Sequence, residues 1–252
     1  MGFSLGPFKS SDYEQADENV QAVVSFFRKF PDLKDQDLYY TGEGYAGVVI
    51  PWLANRTLEW NISPYTPPYE RIRLRGLFLG NPCTHPSECY FPGNSRHTYG
   101  FLTNHYYYTR SQFESYEQAC SILSEDSNCS AVKKDMDNAF LSVGVNRRNV
   151  YEKCLKQNTG DYPNRPCLDQ IGILKWFNDA QMRKAMHTNI SESTKWTICS
   201  ESVQTAYFKD PRQSYFLYPS LIRADLRIVT PCLIVSGYIV ASWTQKTLSL
   251  AR

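Results

Sequence analysis

The run Asp37-Leu38-Tyr39-Tyr40-Thr41-Gly42-Glu43-Gly44-Tyr45-Ala46-Gly47-Val48-Val49-Ile50-Pro51-Trp52-Leu53-Ala54 decides the reading of this chain. Residues 37–41 form a short stretch rich in aromatic and β-favouring side chains, which predicts a strand. It passes directly into a glycine-rich turn, and the turn into Val48–Ala54, a helix-like run despite Pro51. Strand, glycine turn and helix in that order are the local grammar of an α/β fold.

The flanks agree. Ser11-Asp12-Tyr13-Glu14 has the capping-box pattern, and Val20, Val23, Val24 and Phe27 follow at helical spacing, so a helix is expected over 12–29, ended by Pro31. Leu74 to Gly80 reads as a second, buried strand. Residues 83–170 differ in character: they hold six of the eight cysteines, the ring-rich run His105-Tyr106-Tyr107-Tyr108 and a helical pattern over Ser111 to Ile122. They are read as an inserted, disulfide-pinned cap subdomain, with residues 1–82 and 171–252 forming a partial α/β core. Asn178 is expected to cap a helix through Ala180, Met182 and Met186, and a further helix is expected over Gln213 to Ala224. Leu226–Val229 and Leu233–Val235 give a third strand interrupted by Pro231. No internal repeat or low-complexity segment is present.

Composition narrows the classes of function. The chain has 252 residues, 42% of them hydrophobic and 14% aromatic, and a net charge of +2. That is enough chain for a real core, and too aromatic for disorder. Charges are mixed along the sequence without a basic block or acidic tail, which argues against nucleic acid as a partner. The longest nearly apolar run, Cys232 to Trp243, is too short to span a bilayer. Eight cysteines and four sequons, at Asn55, Asn61, Asn128 and Asn189, favour an oxidising, glycosylating route. Met1–Pro7 lacks the basic start and apolar stretch of a signal peptide. The expectation is therefore that the natural N-terminus precedes Met1. No close cysteine pair of metal-binding type occurs, and neither a metal nor a cofactor is expected.

Chemistry would sit at the turn. A G-x-S-x-G elbow holds a serine between strand and helix, and the following backbone N–H helps to stabilise an oxyanion. Here the elbow residue is Gly44, which offers no nucleophile, and the oxyanion N–H would be that of Tyr45.

With these residues in place, the chain resembles the serine carboxypeptidases, acid peptidases of α/β-hydrolase fold. Gly2-Phe3-Ser4 resembles the end of the family's G-V-G-F-S segment. Phe26-Phe27, Phe30-Pro31 and Leu38 to Glu43 resemble its F-F … F-P … F-Y-I-T-G-E-S-Y-A-G block. Leu74–Pro82 resembles its K-G-I-x-I-G-N-P strand, and Trp176–His187 its Y-L-N…V-R-K-A-L-H helix. Trp196–Ser200 resembles W-x-x-C-S, and Leu226-Arg227-Ile228 the approach to its aspartate turn.

The resemblance implies release of C-terminal residues from peptides by a Ser-Asp-His triad. The serine position is Gly44. The aspartate turn S-G-D-x-D reads Ser236-Gly237-Tyr238-Ile239-Val240, so Tyr238 and Val240 stand at its acidic positions. The last histidine, His187, lies upstream of that turn, and the oxyanion glycines of the family would precede Met1. Glu43 matches the glutamate that helps to bind a substrate's terminal carboxylate at acid pH, which needs a proton shared between the two groups; its plainer role is to buttress the elbow. His187 is read as structural and Tyr106–Tyr108 as packing or cap surface. His85, His97 and His105 form no convincing ligand set, and Cys232 lacks a local base to make it a nucleophile. By analogy the disulfides are Cys120–Cys129 and Cys154–Cys167, with Cys83–Cys89 closing a small loop of its own and Cys199 pairing outside the chain.

Three functional readings follow. The chain is an inactive serine carboxypeptidase-family protein; or a non-catalytic binder of peptides or protein C-termini; or an active carboxypeptidase behind an erroneous or partial sequence. The family implies a lysosomal, vacuolar or secreted location. The strand at 37–41 is expected to lie at an open sheet edge, which promotes aggregation.

Overall fold

The structure is a computed structural model. It describes residues 3, 10–85, 93–120, 127–146, 149–153, 171–188, 194–198, 200–210 and 214–230. Its centre is a parallel sheet of three strands, β2 (Leu38–Glu43), β3 (Leu74–Gly80) and β7 (Arg227–Val229), in the order β2-β3-β7. A two-residue strand β1 (Ser10–Ser11) pairs in parallel with β6 (Tyr207–Phe208). Among the described residues β2 is therefore at the sheet's edge.

Helix α1 (Asp12–Lys29) occupies the predicted span. Ser11 is its N-cap, and the hydroxyl accepts from the Glu14 N–H at 3.1 Å. Asp12, Ala16, Val20, Val24 and Phe27 are its buried stripe, spaced three or four apart as one helix face requires. Helix α2 (Ala46–Ile62) lies under the sheet and buries Val48, Ile50, Trp52, Leu53 and Ala54 against Tyr40, Leu77 and Leu79. Each of the larger of these side chains contributes about 1.5–3 kcal/mol of burial. The strands alternate accordingly: Tyr40, Leu77 and Leu79 point into the core, while Tyr39, Thr41 and Phe78 are exposed.

Pro51 sits inside α2 without breaking it. Proline has no N–H, so the carbonyl four residues earlier, that of Gly47, loses its helical donor. Ser214, fully buried, donates its hydroxyl to that carbonyl at 2.6 Å. Ser214 precedes a 3₁₀ turn (Tyr215–Leu217) that leads into a short helix at Tyr218–Arg223. The single helix expected over Gln213–Ala224 is thus two pieces: Pro219 opens the second, and Gln213 lies outside the described residues.

The segment read as an insertion carries its own apolar cluster. Helices α3 (Gly93–Asn104), α4 (Arg110–Ala119) and α5 (Ser127–Val143), with the hairpin β4 (Val145–Asn146) and β5 (Asn149–Lys153), enclose Tyr99, Leu102, Tyr108, Tyr116, Met136 and Phe140. The Cys120–Cys129 disulfide joins the end of α4 to the start of α5, with Cα atoms 4.8 Å apart. Cys83 is also disulfide-bonded, its partner falling outside the described residues. Cys89, Cys154, Cys167, Cys199 and Cys232 lie outside them as well.

Helices α6 (Ile171–Asn178) and α7 (Ala180–Ala185) meet at a corner where one sequence expectation is corrected. Asp179, not Asn178, caps α7, accepting from the Met182 N–H at 2.9 Å. The Asn178 amide is held elsewhere: its oxygen accepts from the Trp196 N–H and from Arg183, and its nitrogen donates to the carbonyls of Leu174 and Trp196. Helix α8 (Glu201–Ala206) and helix α9 (Tyr218–Arg223) complete the set of described helices.

Candidate active site

The carboxyl ends of β2 and β3 lie side by side, with Glu43 opposite Gly80. Ligands of α/β sheets bind at that end. The next residue after β2 is Gly44, at φ +62°. Its N–H donates to the Gly80 carbonyl at 3.0 Å, and its own carbonyl accepts from the Cys83 N–H at 2.8 Å and the Gly47 N–H at 3.0 Å. The left-handed backbone is what turns strand into helix, and it favours glycine. A Cβ built at Gly44 meets nothing within 4 Å, so a side chain here would project into open space above the strand ends.

Gly47 has the opposite surroundings. A Cβ there would come within 2.5 Å of the Cys83 carbonyl and 2.7 Å of its nitrogen. The start of α2 therefore packs backbone to backbone against residues 82–83, which fixes the elbow's position over the sheet.

Tyr45 stands at the N-cap of α2. Its phenol donates to both carboxylate oxygens of Asp12, at 2.9 and 3.1 Å. Asp12 is fully buried. It also accepts from the Tyr207 hydroxyl at 2.7 Å and the Asp210 N–H at 2.7 Å. Several donors on one carboxylate offset the cost of burying it. The cluster ties the elbow to the first turn of α1 and to β6.

Glu43 is exposed beside the elbow, and the Asn81 amide approaches its carboxylate at 3.5 Å. Asn81 itself has φ +42°, a conformation that asparagine adopts more readily than other non-glycine residues. The structure thus brings Glu43, Gly44 and Tyr45 together at the sheet's carboxyl end. Tyr238 and Val240 lie outside the described residues. His187 ends α7 in a left-handed turn, its N–H donating to the Lys184 carbonyl, a helix-terminating role. Of the aromatic run, Tyr106 is almost fully exposed, while Tyr107 and Tyr108 donate to the carbonyls of Val150 and Met136. His105, just past the end of α3, bonds the Phe101 carbonyl in the last turn of that helix, and the His85 ring lies 4.6 Å from that of Tyr215.

Asp12, Ser214 and Tyr207 were not singled out as site residues by sequence reasoning. The sequence marks Asp12 only as part of a capping pattern, and two of its partners, Tyr207 and Asp210, lie 195 and 198 residues away.

This parallel sheet with a glycine-containing elbow at its carboxyl end is the core of an α/β-hydrolase. Over 97% of its length the chain superposes on a prohormone-processing carboxypeptidase from Saccharomyces cerevisiae, with a TM-score of 0.73 at 18% identity, covering 54% of that structure. The serine carboxypeptidase family model matches residues 1–237, and the chain belongs to that family. Among curated relatives, serine carboxypeptidase-like 27 of Arabidopsis thaliana is 26% identical over 235 residues, covering 88% of this chain and 49% of its own. The pheromone-processing carboxypeptidase KEX1 of Phytophthora infestans is 28% identical over 250 residues, covering 91% and 40%. The chain spans about half the length of the curated relatives it matches.

Proposed function

We propose that this chain is a serine carboxypeptidase-family protein that does not hydrolyse peptides in the form of its sequence. One observation carries the reading: the turn that matches the family's nucleophile elbow in sequence follows β2 at the sheet's carboxyl end, is open above the strand ends, and holds Gly44. Without a side chain there, no acyl-enzyme can form. Tyr238 and Val240 in place of the aspartates support the same reading from sequence. The test is exposure of the purified chain to a serine-directed fluorophosphonate and to an N-acylated dipeptide with a free C-terminus. Neither labelling nor turnover above a protein-free blank is expected. Stoichiometric labelling, or turnover that a carboxypeptidase inhibitor suppresses, overturns the reading. Sequencing the transcript through codon 44 separates this from an active enzyme behind an altered sequence.

A second reading is favoured by the exposed Glu43 beside Asn81. The chain then binds peptides or protein C-termini, the Glu43 carboxyl sharing a proton with the terminal carboxylate at acid pH. Titration with a free-acid peptide and with its C-terminal amide tests this. Binding of the acid alone, lost in Glu43→Ala, is expected; equal binding of both sinks it. A lysosomal, vacuolar or secreted setting is supported by the Cys120–Cys129 disulfide and the four sequons.

A further inference from the structure

Three of the four sequons fall on described residues, and their asparagines are in unlike surroundings. Asn128 lies in the first turn of α5, exposed, with Ser130 exposed two residues on. Asn55 is half-buried on α2 and donates to Glu59 of its own helix at 2.7 Å. Asn61, in the last turn of α2, makes a two-point pair with one residue across the chain. Its Nδ2 donates to the Ile72 carbonyl at 2.8 Å, and its Oδ1 accepts from the Ile72 N–H at 2.8 Å. Ile72 is buried.

That pair has a stereochemical consequence. For the oxygen and nitrogen of one planar amide to meet the N–H and carbonyl of a single residue, the hydrogen used must be the one on the same side as Oδ1. N-glycosylation replaces one hydrogen of Nδ2 and makes a secondary amide. Such amides are planar and strongly prefer the arrangement in which the remaining N–H points away from the oxygen. The sugar carbon then takes the place of the hydrogen that faces Ile72. A glycan and the Ile72 pair therefore exclude each other at Asn61. Among the described residues nothing comparable holds the exposed Asn128.

We propose that Asn128 bears a glycan, and that Asn61, in spite of its intact sequon, is a structural residue that stays unmodified in the folded chain. The Asn61 amide works as a strand-like partner that staples the end of α2 to the residues entering β3.

The full chain, directed into the secretory route of a eukaryotic host by an added cleavable leader, provides the test. Its soluble, protease-resistant pool is deglycosylated enzymatically in ¹⁸O-water, and occupancy is read from isotope-tagged aspartate in the peptides. Occupancy at Asn128 in most molecules is expected, with Asn61 lower by at least an order of magnitude. Equal or greater occupancy at Asn61, or an unmodified Asn128, overturns the proposal. Two variants give an independent readout. Ser63→Ala abolishes the sequon and keeps the amide, at the loss of one long, exposed bond from the Tyr65 N–H at 3.3 Å, so soluble yield and Tm should stay close to the parent and well above those of Asn61→Asp. Asn61→Asp removes the donor to Ile72 and should lower both. A Ser63→Ala variant as impaired as Asn61→Asp would show that the glycan, not the amide, is what the chain needs.

Discussion

Ser214 donates to the Gly47 carbonyl the hydrogen bond that Pro51 cannot. All three residues are buried, so no water stands ready to replace it. Ser214→Ala should leave the carbonyl unsatisfied and cost about 1–3 kcal/mol. Urea denaturation followed by tryptophan fluorescence, sensitive to Trp52 one residue beyond the proline, would measure it. A loss below a few tenths of a kcal/mol would mean that another donor reaches Gly47.

The two glycines of the elbow should respond differently to substitution. Gly44→Ser places an L-residue at φ +62° with room for its side chain, so only backbone strain of about 1–2 kcal/mol is expected. On the proposed reading, with Tyr238 and Val240 at the positions where the family pattern has aspartates, the same variant should gain no fluorophosphonate labelling. Gly47→Ala drives a methyl against the Cys83 backbone and should cost more, about 3 kcal/mol or above, because neither partner is a flexible side chain. Denaturation midpoints of the two variants would test the ranking, and the reverse order would contradict the packing described.

Tyr40 gives the fold an alkaline limit. Burial pushes its hydroxyl up to about 12, against a weaker opposing pull from the hydrogen bond with Thr57. Tyr218, buried against the same core, is displaced in the same direction. The unfolded chain releases these protons near pH 10, before the folded chain does. Their contribution is therefore whole below about pH 10 and declines as pH rises towards 12. Stability measured from pH 8 to 11.5 should fall, and Tyr40→Phe should flatten the fall while costing about 1 kcal/mol at neutral pH through the lost bond to Thr57. An unchanged slope in Tyr40→Phe would remove Tyr40 from the account.

Loss of the Cys120–Cys129 disulfide should affect one cluster and spare the other. Cys120 and Cys129 are nine residues apart, and closing so short a loop stabilises by about 2–3 kcal/mol. The bond lies in the cluster of Tyr99, Tyr116, Met136 and Phe140, not in the one beneath the sheet. In the Cys120→Ala/Cys129→Ala variant, hydrogen exchange should rise over α4 and α5 and stay unchanged over α1, α2 and β3. Uniform loss of protection would show that the two clusters unfold as one.

The parts of this molecule that were legible in its sequence are those decided by neighbours. Helix α1 follows from Ser11 and the spacing of Val20, Val24 and Phe27, and β3 from an apolar run bounded by turn residues. The elbow was legible because strand, glycine turn and helix are contiguous. What escaped was decided at a distance. Nothing local distinguishes Asp12 from a first-turn helix carboxylate; its role comes from Tyr207 and Asp210. Asn178 and Asp179 are both good caps, and only Trp196 and Arg183 decide which is free to do so. The helix after Gln213 is divided where Pro219 and the bond from Ser214 to Gly47 fix the chain.

The contact between Ser214 and Gly47 also sets a clock. The two residues are 167 positions apart. At roughly 5–20 residues per second, a ribosome needs on the order of ten to thirty seconds to deliver Ser214 after Gly47 has emerged. Closing a loop of that length costs about 2.5 kcal/mol more than closing one of ten residues. During that interval α1, α2 and the first two sheet strands wait without β7, while the helical cluster around Phe140, whose contacts are local, is free to form. The nascent chain thus holds its glycine elbow half-assembled until Ser214 has been made, and that waiting species is the one a chaperone would meet.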